Sequence, residues 1–379
     1  MSTTIQNLTQ RQIMLSFAYL AYTDDLLTVL QNSSPEAQIL QDINAAMPNI
    51  PPIASPNATW KVVWGPAVYI SPGALYQENM MYMVQNQTDK TQFAIAIRGT
   101  NCDLDWLMED LDILVQMNWP PGASTANPTG AMISESTSID LQILLSMVSN
   151  SQSAVEFLLA QTSSPINLCV TGHSLGGALA GTLALYLMEN VSAWDASGKS
   201  NVSCITFAAP TAGNAAFAGY TVSTFNTGTY PPNWDSSLGS CFDAVQCDLD
   251  IAPLAWIGTN VVSGASSVLF QIYGTSLDFQ NMAYTSKLAW NDYVMPDILP
   301  LIATQLTALG YTQITNSANT ALQGTYNSTY NPTDTDLMSY LKAFMAQAAY
   351  QHGHSYPTIL GVPSLLTAIT NNSSVSQSK

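Results

Sequence analysis

Three kinds of residue in this chain have the spacing to do nucleophilic chemistry together: a serine set between glycines, late histidines, and a pair of aspartates. The serine lies in Gly172-His173-Ser174-Leu175-Gly176, the only G-x-S-x-G in the sequence. The apolar run Leu168 to Val170 before it reads as a buried strand, and the small and leucine-rich stretch Ala178 to Met188 after it reads as a helix. Strand, tight turn and helix are the context in which such a serine becomes a nucleophile, because the turn pushes its hydroxyl clear of the chain. Glycine is demanded at 172 and 176, since side chains two positions either side of the serine would collide across so sharp a bend. The helix N-terminus then aims its dipole and free N–H groups at the place where an oxyanion would form. A plain glycine-rich turn or a membrane segment is the alternative, for residues 166–188 carry no formal charge. His173, Ser174, Asn167 and the glycines inside that stretch argue against a span.

A serine hydroxyl of ordinary acidity is a weak nucleophile and needs a base within reach and an acid to orient that base. Only three histidines are present. His173 sits inside the elbow with its side chain directed away from the hydroxyl, which makes it structural. That leaves His352 or His354, in the loop-like run Tyr350-Gln-His-Gly-His-Ser-Tyr-Pro357. The acid is sought between elbow and base, at the end of a strand. Asp248-Leu-Asp250-Ile-Ala-Pro253 offers two carboxylates, and Asp248 has the place of a turn cap.

The elements that must hold these groups can be read along the chain. Residues 8 to 30 set Leu8, Ile13, Phe17, Leu20 and Ala21 on one helical stripe, closed by Asp24-Asp25. Strand-like runs follow at Trp60 to Trp64, Met80 to Gln85 and Phe93 to Arg98, the last two joined as a hairpin through residues 86–90. The pattern predicts one helix over Ser138 to Leu159 and a parallel strand over Ser203 to Ala208. Helix-like pieces recur near 296–309 and 336–351. Strands alternating with helices predict an α/β fold, a mostly parallel sheet with helices on both faces. No internal repeat is present. The expected organisation is one domain over residues 1–370 and a frayed, disordered tail over 371–379.

Composition narrows the partners. The chain of 379 residues is 47% hydrophobic but only 9% charged, with Arg11 and Arg98 as its arginines and a formal net charge of −17. So acidic a surface makes nucleic acid and anionic headgroups poor partners. The cysteines, Cys102, Cys169, Cys204, Cys241 and Cys247, have no metal-ligand spacing. Cys169 and Cys204 read as buried thiols, and Cys241 and Cys247 lie near enough in sequence to bridge. No signal peptide and no transmembrane segment is read. The abundance of Ser, Thr and Asn, with N-x-S/T sites such as Asn57 and Asn327, is compatible with an extracellular protein and leaves the compartment open.

Taken in order, Arg98-Gly-Thr100, Asp105-Trp106-Leu107, Gly172-His-Ser-Leu-Gly-Gly177, Phe207-x-x-Pro210-x-x-Gly213-Asn214, Asp250-Ile-x-Pro253 and a late histidine resemble the class 3 lipases. These are the fungal-lipase-like branch of the α/β-hydrolases. The resemblance covers roughly residues 60 to 255 and the segment around 350. It implies Ser174 as nucleophile, Asp250 as acid and a late histidine as base. His352 is chosen over His354 because Gln351-His352-x-x-x-Tyr356-x-x-x-Leu360-Gly361 looks like the ending of bacterial relatives. It also implies an oxyanion hole made by the backbone N–H of Leu175 and by Thr100. Residues 102–114, with Trp106, Leu107 and Met108, would be the lid candidate, against an ordinary core helix. Two departures stand out. Thr211 replaces the arginine common after Pro210, a change of fold support. About 100 residues separate Asp250 from His352, so the stretch 260–345 is read as a cap-like insertion that would set chain-length preference.

The expectation is thus a serine hydrolase of carboxylic esters with acylglycerols as leading substrates, to be met at a lipid–water interface, and no metal or organic cofactor implied. A soluble carboxylesterase or polyester depolymerase of short-chain or aromatic esters is the alternative. A non-catalytic lipid-binding protein is the more distant one.

Overall fold

The computed structural model describes residues 8–23, 35–54, 59–70, 79–99, 111–121, 130–226, 229–232, 234–258, 271–277, 299–315 and 321–375. Two helices open it, α1 (Leu8–Leu20) and α2 (Pro35–Ala46), followed by strands β1 (Trp60–Tyr69), β2 (Asn79–Asn86) and β3 (Gln92–Ile97). Then come helices α3 (Glu135–Ser146) and α4 (Ala154–Gln161), strand β4 (Asn167–His173) and helix α5 (Leu175–Glu189). Strand β5 (Asn201–Phe207), helix α6 (Ala215–Phe225) and strand β6 (Phe242–Val245) complete the central part. The last described helices are α7 (Leu299–Leu309), α8 (Leu337–Gly353), α9 (Ser355–Ile359) and α10 (Ser364–Val375).

The six strands lie side by side in chain order, β1-β2-β3-β4-β5-β6. The β1–β2 and β2–β3 pairings are antiparallel, and the three that follow are parallel. Both faces are covered, and the two-residue period of each strand deals its side chains between them. Phe93, Ile95, Ile97, Leu168, Val170, Val202 and Cys204 enter one core with Leu141, Leu144, Leu179, Leu183 and Phe217 from α3, α5 and α6. Ala94, Ala96, Cys169, Ile205 and Phe207 enter the other, under Met14, Leu15, Phe17 and Ala18 of α1. This is an α/β-hydrolase fold. Register aligns the strand ends, with Ile97 opposite Gly172, His173 opposite Phe207, and Phe207 opposite Val245. In such sheets the carboxyl edge is where ligands bind.

Arg11 of α1 is buried, and its guanidinium holds both carboxylate oxygens of Asp243 on β6 at 2.8 Å. The charge is taken out of water only because the pairing is bidentate.

Several expectations change. The helix over 138–159 is two helices, α3 and α4, parted by a ribbon of Val148–Ser149 against Gln152–Ser153. Asn150 and Ser151 turn that ribbon at positive φ, and Ser153 then opens α4 with a capping box to Glu156. Strand β1 runs five residues past Trp64, to Tyr69. Cys241 and Cys247 are free, buried thiols on either side of β6. Helix α10 continues to Val375, beyond the boundary expected at 371. No described helix is long and apolar enough to cross a membrane.

Candidate active site

The elbow is built where β4 meets α5. Ser174 has φ 59° and ψ −134°, a region that a residue with a side chain enters only under constraint. The constraint is visible on both sides. Its N–H is held by the Phe207 carbonyl at 3.0 Å, and its carbonyl accepts Gly177 N–H at 2.8 Å, starting the helix. A Cβ on Gly172 would stand 2.1 Å from the Gly176 oxygen, and one on Gly176 2.4 Å from the Ile97 oxygen. Both positions therefore exclude any side chain. Leu175 is the first residue of α5, where backbone N–H groups lack intrahelical acceptors.

Asp250 sits in the turn after β6, with its carboxylate fully buried. Four hydrogen bonds aim it. Tyr356 Oη donates to Oδ2 at 2.8 Å, the Ala252 N–H donates to Oδ1 at 3.0 Å, and His352 Nδ1 lies 3.1 Å from Oδ2 and 3.2 Å from Oδ1. A carboxylate only accepts, so Nδ1 carries the proton and Nε2 is the basic nitrogen of that ring. Tyr356 is itself held, its Oη accepting the Cys247 N–H at 3.0 Å. Burial, then the Asp250 charge, push its phenol well above the ordinary range, so it remains a donor.

His352 lies in the last turn of α8, where the sequence suggested a loop. His354 caps that helix, exposed, with its ring stacked on Tyr350 at 5.5 Å. The structure thus brings Asp250 to His352 and leaves His354 on the surface. Asp248 is exposed and accepts the Gly324 N–H at 2.6 Å, a turn-capping contact.

His173 is buried against the same centre. Its Nε2 is 2.9 Å from the His352 carbonyl oxygen, and the two rings are 4.5 Å apart. Burial, then the neighbouring His352, hold its pKa well below the ordinary value. Arg98 is buried at the end of β3, its N–H on the Met80 carbonyl. Thr211 donates to the Ala255 carbonyl at 3.1 Å, tying the turn after β5 to the turn that carries Asp250.

Thr100, Cys102, Trp106, Leu107 and Met108 lie outside the described residues, so of the lid candidate only its end is seen. There Leu111–Leu114 form a 3₁₀ turn, and the Ile113 carbonyl accepts from Tyr311 Oη at 2.6 Å. Among the described residues no group of His, Cys, Asp or Glu is arranged to hold a metal ion. Sequence reasoning gave no role to two residues here. Tyr22 gives no signal beyond its place after α1, and Tyr356 could be singled out only by its spacing from His352.

The family profile described as Lipase (class 3) matches residues 94–231. Among solved structures, M37 lipase is 29% identical, with 95% of each chain covered and a TM-score of 0.72. Lipase II from Rhizopus niveus is 19% identical over 64% of this chain and 74% of its own, with a TM-score of 0.40. The lipase from Rhizopus microsporus var. chinensis is 20% identical over 64% and 68%, with a TM-score of 0.41. No curated protein sequence matches. The profile spans the elbow, and the M37 likeness extends over 95% of the chain. Residues 94–231 thus carry the class 3 lipase profile and the whole chain is similar to a lipase, which together support a carboxylic ester hydrolase of α/β-hydrolase fold.

Proposed function

We propose that the chain hydrolyses acylglycerol esters through a Ser174-His352-Asp250 triad and an acyl-enzyme. The observation that carries this reading is the 3.1 Å pairing of His352 with a buried Asp250, packed through His173 against the strained Ser174 elbow. His352 Nε2 takes the proton of Ser174 Oγ as the oxygen attacks the ester carbonyl. The imidazolium so formed is steadied by Asp250 through Nδ1–H. The carbonyl oxygen, now carrying negative charge, is received by the Leu175 N–H and by Thr100. His352 returns the proton to the leaving alkoxide, releasing the alcohol and leaving acyl-Ser174. Water then repeats the sequence, with His352 as base, to release the fatty acid.

The test is Ser174→Ala, assayed on p-nitrophenyl esters from acetate to palmitate and on emulsified triacylglycerol. Turnover should vanish with the circular dichroism spectrum unchanged, and a fluorophosphonate should label wild type at Ser174 alone. Retained turnover would overturn the triad. Rates confined to short dissolved esters would keep the triad but replace acylglycerols by short carboxylic esters as the substrate class.

A further inference from the structure

Tyr22, two residues beyond α1, reaches into the site. Its Oη accepts the Gly99 N–H at 3.1 Å and lies 3.1 Å from the His173 carbonyl oxygen and 3.3 Å from His173 Nδ1. Gly99 directly precedes Thr100, and a Cβ built on it would stand 3.1 Å from the Ser174 Cβ. One hydroxyl therefore joins the end of β3 to the end of β4, the two segments that carry the proposed oxyanion donors. His173 continues the chain of contacts through Nε2 to the His352 carbonyl at 2.9 Å. Beside it, Tyr19 Oη donates to the Gly353 carbonyl at 2.9 Å, and the Tyr19 and His173 rings are 4.9 Å apart.

The protons in this network can be assigned. A carbonyl only accepts, so His173 Nε2 carries hydrogen. Because burial keeps the ring neutral, Nδ1 is a lone pair. Tyr22 Oη receives the Gly99 proton and gives its own to the His173 carbonyl or to Nδ1. These bonds join the ends of β3, β4 and α8.

We propose that Tyr22 and His173 are positioning residues for ester hydrolysis. Tyr22 holds Gly99 against the elbow, while His173 holds the end of α8 that presents His352. The proposal rests on the Ser174 reading above. Neither residue touches the reacting atoms; both set where the groups that do so are found. The effect should fall on the transition state, for Thr100 and His352 act on charge that is absent from the bound ester.

Tyr22→Phe in the full chain keeps the ring and removes one oxygen. On p-nitrophenyl butyrate it should lower kcat about tenfold or more, with KM within about twofold of wild type. His173→Gln and His173→Ala probe the other half. The glutamine amide can still donate to the His352 carbonyl, so it should retain several-fold more kcat than alanine, a rescue that loss of packing alone would not give. Fluorophosphonate labelling of wild type keeps the two readings apart. If wild type is neither active nor labelled at Ser174, the hydrolase reading fails and takes this one with it. If wild type is active and labelled, a folded Tyr22→Phe with unchanged kcat overturns the positioning role alone. Should Tyr22→Phe not fold, equal kcat for the glutamine and alanine variants would overturn it.

Discussion

Replacing Tyr356 by phenylalanine removes the single oxygen on which the placement of Asp250 most depends. The ring is fully buried and stays so, hence no cavity opens. Two hydrogen bonds are lost, the 2.8 Å donation to Asp250 Oδ2 and the 3.0 Å acceptance from the Cys247 N–H. A bond to a charged acceptor contributes about 1.5–3 kcal/mol, and a buried N–H left without its acceptor costs about 1–3 kcal/mol. Neighbouring losses do not add fully, so a net destabilisation of about 3 kcal/mol is expected. In urea unfolding followed by tryptophan fluorescence, that moves the midpoint down by about 1 M. Asp250 keeps the Ala252 N–H and His352 as partners, but its carboxylate is free to turn. A misplaced acid lets the imidazole drift from the angle it needs, so kcat should fall about tenfold with KM little changed. A destabilisation under about 0.5 kcal/mol, the size of an ordinary surface substitution, together with unchanged kcat would refute the reasoning.

Arg11→Ala should cost about 3–5 kcal/mol by leaving Asp243 charged and buried, whereas Arg11→Met combined with Asp243→Leu should lie close to wild type in a thermal melt. A neutral Arg11→Ala would contradict the buried pair. His173 gives a pH dependence whose sign can be worked out. In the fold its pKa is depressed by burial among Tyr19, Tyr22, Tyr356 and His352, while in the unfolded chain it takes a proton near the usual value of about 6.5. Below that pH the unfolded state binds more protons, so the contribution is fully present above about 6.5 and fades, by up to about 1.4 kcal/mol per pH unit, as pH falls. His173→Gln should flatten this acid slope of Tm, and an unchanged slope would show that the ring is not held neutral.

What was legible in the sequence was local. The elbow could be read because strand, serine and helix are contiguous and because glycine has one steric meaning at 172 and 176. The β2–β3 hairpin was legible from alternation and a polar turn. The ribbon at 148–153 was hidden because α3 and α4 share one apolar rhythm, although Ser153 and Glu156 have the spacing of a capping box. Asp250 and Asp248 have similar local surroundings. The sequence separated them only by a turn-cap reading and the family pattern; the fold gives one Tyr356 and His352 and the other a surface turn at Gly324. Tyr22 and Arg11 could not be read at all, since their partners lie 77 and 232 positions away and no local pattern encodes contacts of that reach.

The interval between Asp250 and His352, read from the sequence as a cap-like insertion, has a structural role. The two residues are 102 positions apart, yet their side chains meet, so something must close that interval accurately. Ile251, Ala252, Ala255 and Trp256, directly after the acid, share a core with Tyr340, Ala343, Phe344 and Ala348 on the helix that carries the base. Tyr273, Leu277, Leu306 and Tyr311, all from within the inserted stretch, fill the space between them. Asp250 and His352 are thus packed together by side chains of the inserted stretch as well as by the end of β6 and by His173. Ile113 belongs to the same cluster and is tied to Tyr311 by a hydrogen bond. Packing changes in this small core therefore reach the Asp250–His352 pair and the far end of the lid candidate together. Substitutions made inside it should change kcat, because these side chains pack beside the residues that carry Asp250 and His352.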